Sequence, residues 1–114
     1  MQVIVNTDSN IDGTERIAGE LETMVEDSLS RYSERLTRVE VHLSDASVGR
    51  SGRDDIKCTL EARPAGTGPL VVTENANSVE DALTSALHKM RSLLETHFGK
   101  RDFRKGSLPM GEVL

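Results

Sequence analysis

Positively charged side chains are concentrated in one stretch of this chain, between residues 89 and 105. The stretch holds six basic and two acidic residues, a net charge of +4, whereas the rest has 8 basic and 17 acidic residues, a net charge of −9. Lysine and arginine bind phosphate oxygens through charge-assisted hydrogen bonds and displace the counterions of a polyanion. The spacing therefore predicts a polyanion-binding surface formed by Lys89, Arg91, Lys100, Arg101, Arg104 and Lys105.

These six cations also have a simpler interpretation. Four of them follow the predicted end of a helix at Gly99, where cations offset the negative end of the helix dipole. Lys89 and Arg91 flank the apolar stripe of that helix, so they could cover the edge of a sheet while their charged groups stay in water. The sequence leaves both interpretations open.

Two arginines in a polar loop add a second candidate contact to phosphates. Arg50 and Arg53 lie in the segment 47–55, which contains glycine, serine and aspartate. Long side chains on such a loop can reach a phosphate backbone. However, Asp54 and Asp55 follow directly and could neutralise the positive charge.

The sequence predicts neither a catalytic site nor a metal site. His88 and His97 are nine positions apart on one predicted helix, which places them on opposite sides of it. His42 lies in a predicted strand among charged neighbours, so no compact set of zinc ligands is expected. Because the chain has no phosphate-binding loop, dinucleotide glycine pattern or nucleophile elbow, we expect a protein that is not an enzyme and needs no cofactor.

Composition favours one small domain located in the cytoplasm. The 114 residues are 36% hydrophobic but include no tryptophan, one tyrosine and two phenylalanines, so the core must be mainly aliphatic. No apolar run approaches the roughly 20 residues that cross a bilayer, and the first residues do not resemble a signal peptide. Cys58, the only cysteine, alternates with polar residues and is expected to be a buried, unreactive side chain.

The elements that must position these residues follow from hydrophobic periodicity. Strands with alternating apolar residues are predicted at 2–6, 38–45, 56–63 and 70–74, and residues 64–69 form a turn between the last two. A first helix opens with the capping-box spacing of Asp12 and Glu15. Its apolar face consists of Ile17, Leu21, Met24, Val25, Leu29 and Tyr32.

The last helix begins after the N-cap residue Ser78 and is predicted to end at Gly99, a residue type favoured just beyond helix ends. Its apolar stripe consists of Val79, Leu83, Ala86, Leu87, Met90, Leu93 and Leu94. Because both helices are apolar on one side only, they should share one face of the sheet. The order β-α-β-β-β-α therefore predicts an α+β fold, in which a four-stranded mixed sheet carries two helices on one face and leaves the other face in water.

This order of elements and several passages of sequence resemble the ribosome hibernation-promoting factor and ribosome-associated inhibitor family, often called protein Y. The similar passages are ERLTRVEVHLSD at 34–45, DIKCTLE at 55–61, ANSVEDA at 76–82 and HKMRSLLETHFGK at 88–100. The resemblance covers residues 1–101, and residues 102–114 then form a short C-terminal tail. Long members of the family carry a second domain, so this chain resembles the short type.

The resemblance implies a ribosomal partner. Family members bind the small ribosomal subunit in the channel used by messenger and transfer RNA, where they silence idle ribosomes. By that resemblance we expect the small subunit and its rRNA as partners, in the cytoplasm and as part of a stress response. The six cations of the segment 89–105 and the two loop arginines, Arg50 and Arg53, would contact rRNA. No membrane or DNA partner is expected. A weak homo-oligomer through the sheet edges would be compatible with the fold.

The first helix departs from the family pattern, in which cations cover the exposed sides of both helices. In this chain the exposed side of the first helix carries the carboxylates Glu20, Glu22, Glu26 and Asp27. Arginines lie only toward the edges of that side, at Arg16 and Arg31. Carboxylates oppose phosphate binding. The alternative hypothesis is therefore a divergent member that acts as a protein-interaction or regulatory module without binding the ribosome.

Overall fold

In the described residues, six elements follow one another in the predicted order β-α-β-β-β-α, and a short 3₁₀ helix follows the first α-helix. The computed structural model describes residues 1–8, 14–45 and 56–104. Its elements are β1 (Gln2–Thr7), α1 (Thr14–Ser28), the 3₁₀ helix (Ser30–Tyr32), β2 (Leu36–Asp45), β3 (Ile56–Pro64), β4 (Leu70–Ala76) and α2 (Val79–Arg104). The predicted fold class is confirmed.

The four strands form one mixed sheet in the order β1-β2-β3-β4. β1 and β2 are parallel, as expected for strands joined through a helix, and Val3 lies beside Val39. β2, β3 and β4 form an antiparallel meander, in which Val41 pairs with Leu60 and Leu60 with Val72. This register puts the apolar residues of neighbouring strands on the same face of the sheet.

The core lies between that face and the two helices. Leu21 and Val25 of α1 are 1% and 0% exposed, and Leu83, Met90 and Leu94 of α2 are fully buried in the same cluster. The predicted aliphatic core is thus confirmed. Burial of side chains such as these supplies most of the stability of a small domain.

Cys58 is part of this core, in the middle of β3. The side chain is fully buried, and this burial raises the pKa of its thiol from 9.0 to about 12. A protonated thiol is a weak nucleophile. The structure therefore supports the prediction of an unreactive packing residue.

The C-terminal part of α1 differs in detail from the predicted helix. α1 ends at Ser28, and Leu29 and Tyr32 belong to the following turn and 3₁₀ helix. Both side chains are nevertheless buried, as the apolar pattern predicts. Asp12, the predicted cap, lies outside the described residues.

The sequence pattern predicts the start of α2 correctly but not its end. At the start, the backbone N–H of Asp81 donates to Ser78 Oγ at 3.1 Å, which confirms the predicted N-cap. At the other end, the prediction that Gly99 terminates the helix was wrong, because α2 continues to Arg104. Phe98 explains this extension: it is 6% exposed and stacks on Tyr32 with ring centroids 5.6 Å apart, which holds the helix onto the core near Gly99.

The predicted stripe of α2 is also shifted at one position. Leu93, which the pattern placed in the core, is 39% exposed, whereas Ala82 and Phe98 are buried. The buried positions 83, 87, 90, 94 and 98 follow the sheet along one line of the helix. Leu93 lies beside that line and faces solvent.

The opposite face of the sheet carries several ion pairs. Arg38 Nε lies 3.0 Å from Glu40 Oε2, and Arg63 Nη2 lies 2.8 Å from Glu61 Oε2. His42 lies 3.3 Å from Glu40, and the donor atoms of Glu40, His42 and Glu61 fall within 4.8 Å of one another. Since arginines already engage both carboxylates, we interpret this group as a network of ion pairs, and the expected absence of a metal stays a prediction.

Candidate nucleic-acid interface

Lys89 lies on the side of α2 that faces strand β4. Its ammonium group forms an ion pair with the carboxylate of Glu74, in which the lysine side chain is 61% exposed and the glutamate 23% exposed. The sequence left open whether Lys89 contacts phosphate or covers the edge of the sheet, and the structure places its side chain against Glu74 of β4. Part of its charge is consequently offset before any ligand arrives.

Arg91 lies two positions later in α2 and lines the same cleft as this ion pair. Its side chain is exposed and lines two adjoining clefts between α2 and the end of α1, with volumes of about 730 and 350 Å³. The larger cleft has Met24 and Leu87 in its lining and Asp27 among its polar groups. The smaller one includes Arg31, so that a second guanidinium group joins Arg91 around the same opening.

Arg31 and Arg35 rest on the aromatic pair that fixes the end of α2. The Arg31 guanidinium carbon is 5.3 Å from the centroid of Tyr32, and that of Arg35 is 3.9 Å from the centroid of Phe98. Cations placed over aromatic rings are attracted to the ring faces. Stacking thus restricts both arginines while each remains exposed.

These two arginines were missed as candidate site residues. The hydrophobic period placed Arg31 at the edge of a helix, and nothing in the pattern linked it with Arg91, sixty positions further along the chain. A usable signal was nevertheless present, because Arg31 directly precedes the tyrosine of this aromatic-poor chain. The stacking partner of Arg35, Phe98, lies in α2 and could be recognised only in three dimensions.

The remaining predicted cations fall into two groups. Lys100, Arg101 and Arg104 belong to the last turns of α2, directly after the aromatic contact at Phe98. By their backbone positions, these three residues therefore lie at the same end of the fold as Arg31 and Arg35. Lys105, Arg50 and Arg53 lie outside the described residues.

The acidic side of α1 is present as the sequence indicated. Glu20, Glu26 and Asp27 are exposed, Glu22 is half-buried, and the last turn of α1 contains no basic residue. Of these carboxylates, Asp27 lines the larger cleft, whereas Arg31 and Arg91 line the smaller one. An anion would therefore be attracted more to the smaller cleft.

Comparison with known proteins identifies the family. The sequence profile of the family described as Sigma 54 modulation protein / S30EA ribosomal protein matches residues 4–102. This chain belongs to that family. The match extends from the middle of β1 to the last turns of α2, and it confirms the resemblance found in the sequence.

Two solved structures have the same fold. The N-terminal domain of Thermus thermophilus protein Y superposes with a TM-score of 0.62 at 20% identity, over 85% of this chain and 99% of that one. A ribosomal subunit interface protein from Coxiella burnetii gives a TM-score of 0.64 at 11% identity, over 87% of this chain and 99% of that one. Among curated proteins, none matches this chain by sequence.

Family membership sets the general class of this protein. The family is one of ribosome-associated modulation factors, a class that is not enzymatic. In the part of the chain that the structure describes, no helix has the length and apolar character needed to cross a membrane.

Proposed function

We propose that this protein is a ribosome hibernation factor that binds the small ribosomal subunit in the channel for messenger and transfer RNA. The observation that carries the proposal is the family match over residues 4–102, which includes both helices and most of the sheet. The relatives of similar fold are a protein Y and a ribosomal subunit interface protein. The protein would act in the cytoplasm, on ribosomes that idle under stress.

The mechanism is occlusion and involves no bond making or breaking. A folded domain held against rRNA in the channel excludes messenger and transfer RNA by its volume. Affinity comes from cations that release condensed counterions from the RNA backbone, so binding weakens as salt is added. Inhibition should therefore be reversible.

The rRNA contacts are assigned to the cation-rich side of α2. We propose that Lys89, Arg91, Lys100, Arg101, Arg104 and Lys105 supply most of them, and that Arg50 and Arg53 add contacts from the loop after β2. The net charge of +4 between residues 89 and 105 supports this assignment, because the rest of the chain is strongly acidic. Lys89 contributes least, since Glu74 already pairs with it.

The acidic face of α1 favours a second candidate function. Exposed Glu20, Glu26 and Asp27 would repel RNA along one side of the fold. A family member with such a face could instead bind a basic protein surface as a regulatory module and leave the ribosome free.

Competition on the small subunit distinguishes the two candidates. Purified small subunits are loaded with a short messenger RNA and initiator transfer RNA, and release of labelled transfer RNA is followed as the protein is added. The proposed function requires release that saturates with the protein and is reversed by excess transfer RNA. Binding without any release would move the site out of the channel, and absence of binding at low salt would favour the regulatory module.

A further inference from the structure

The smaller cleft brings together groups that suit one phosphate. It lies between the 3₁₀ helix and α2, has a volume of about 350 Å³, and is lined by Arg31 from one element and Arg91 from the other. The hydroxyl groups of Ser28, Ser30 and Ser92 line the same cleft. Guanidinium groups and hydroxyls are among the side-chain donors that contact phosphate oxygens.

Packing of the surrounding residues restricts the arginine that the 3₁₀ helix supplies. Tyr32 is 7% exposed and lies in a near-parallel stack with Phe98, at an interplanar angle of 26°. Arg31 lies over the ring of this fixed tyrosine, with 5.3 Å between the guanidinium carbon and the ring centroid. A donor that is already restricted loses less conformational entropy when it binds a ligand.

The charge of the cleft selects among phosphate species. Glu95 also lines it, so the two arginines and this carboxylate sum to a single positive charge, and His88 completes the lining without adding charge when neutral. An internal phosphodiester of RNA carries one negative charge, whereas a terminal phosphate monoester carries about 1.5 to 2 at neutral pH. The cleft therefore matches a backbone phosphodiester better than a free phosphate or a nucleotide.

We propose that this cleft, which we call the Arg31–Arg91 cleft, binds one backbone phosphodiester of RNA. The inference rests on the proposed function in one respect: in the cell, the RNA would be that of the small subunit. It assigns roles to Arg31 and to the serines of the cleft, and it locates one contact between the two helical elements. Arg91 is then one half of a two-arginine site.

Binding of a fluorescent, unstructured RNA 12-mer, measured by anisotropy over a salt series, tests the site. Arg31→Gln and Arg91→Gln should each weaken binding about tenfold and lower the salt slope by about 0.7, as expected for one lost contact to single-stranded RNA. Glu95→Gln should strengthen binding. Arg38→Gln is the matched control, since Arg38 pairs with Glu40 on the opposite face of the sheet and its loss should leave the affinity unchanged.

Two further measurements complete the test. Thermal melting of each variant establishes that it is folded, and Arg91→Lys should recover part of the affinity because it restores the charge. Inorganic pyrophosphate, added as a competitor, should displace the RNA only weakly. Equal losses of RNA affinity in Arg31→Gln and Arg38→Gln would contradict the proposed site. Displacement of the RNA by pyrophosphate at micromolar concentration would also contradict it.

The results separate this site from the proposed function. RNA binding that depends on Arg31 and Arg91 in a protein that fails to bind small subunits would support the cleft and reject ribosome association. Normal binding of both variants to small subunits and to the 12-mer would reject the cleft and leave the proposed function standing. A parent protein that binds no RNA at low salt would also reject the cleft.

Discussion

Lys89 illustrates how a neighbouring side chain decides what a cation can do. The sequence identified Lys89 as a candidate RNA contact, but its pairing with Glu74 depends on how α2 lies across β4, which periodicity cannot give. Arg91, two residues later, lines the larger cleft together with Lys89 but also lines the smaller cleft, beside Arg31. The same residue class on one helix thus has two different local environments.

Removal of the Glu74 charge should therefore improve binding. Glu74→Gln frees Lys89 for an external anion, and we expect about threefold tighter association with small ribosomal subunits at low salt. Stability should change by less than about 1 kcal/mol, because exposed ion pairs contribute little. Equilibrium binding together with urea unfolding checks both values. Equal or weaker binding of Glu74→Gln would show that the pair does not limit Lys89.

Cys58 gives a prediction about pH that follows from burial. Its thiol has a pKa of about 12 in the fold against an ordinary 9.0, so the folded protein holds this proton more tightly than the unfolded chain. The resulting stability is complete below pH 9 and is lost as the pH rises from 9 toward 12. The free energy of unfolding should fall over this range more steeply for the parent than for Cys58→Ala, which serves as the control.

Reactivity tests the same residue independently. At pH 7.5 a thiol reagent should modify the folded protein only as fast as the domain opens, and it should react at once in urea. Fast, stoichiometric labelling of the folded protein would contradict the buried position of Cys58.

At the scale of elements, the strands and the starts of helices follow from local sequence, whereas the end of α2 does not. Alternation predicted the buried residues of β2 and β3, and Ser78 predicted the start of α2, because these signals act within a few residues. The extension beyond Gly99 depends on Phe98 packing against Tyr32, which is 66 positions away in the chain. Glycine preference at a helix end is weaker than this tertiary contact.

Substitution of Gly99 distinguishes a helical position from a terminating one. Within α2 alanine is the better helix former and meets no atom within 4 Å, so Gly99→Ala should raise the free energy of unfolding by about 0.5 to 1 kcal/mol. Gly66, which has a φ of 80° in the turn after β3, provides the contrast. Gly66→Ala should be destabilising, because alanine is strained at that φ. Destabilisation by Gly99→Ala would restore the terminating role that the sequence suggested.

The sequence predicts the candidate site only in part, because some of its residues are distant in the chain and meet only in the fold. Charge counting located the cation-rich segment, since that property belongs to contiguous residues. The Arg31–Arg91 cleft requires the 3₁₀ helix to lie beside α2, and that arrangement follows from Tyr32 and Phe98 rather than from any local motif. The loop with Arg50 and Arg53 stays a sequence prediction.

At the scale of the whole molecule, unequal distribution of charge is the main physical feature. The overall charge is −5, yet the segment 89–105 carries +4, so the protein has one end that attracts polyanions and a larger surface that repels them. Such a molecule should bind RNA in one orientation. The fold supports this arrangement because α2 runs to Arg104, past the buried Phe98, and its last turns contain Lys100, Arg101 and Arg104.

The salt dependence of small-subunit binding tests this account most directly. The parent protein and a variant with Lys100, Arg101, Arg104 and Lys105 all changed to alanine are sedimented with small subunits over a salt series. The account predicts that the parent binds at low salt and loses affinity steeply, and that the folded variant binds more weakly with a salt slope lower by about 3. A folded variant with the affinity and salt slope of the parent would contradict it.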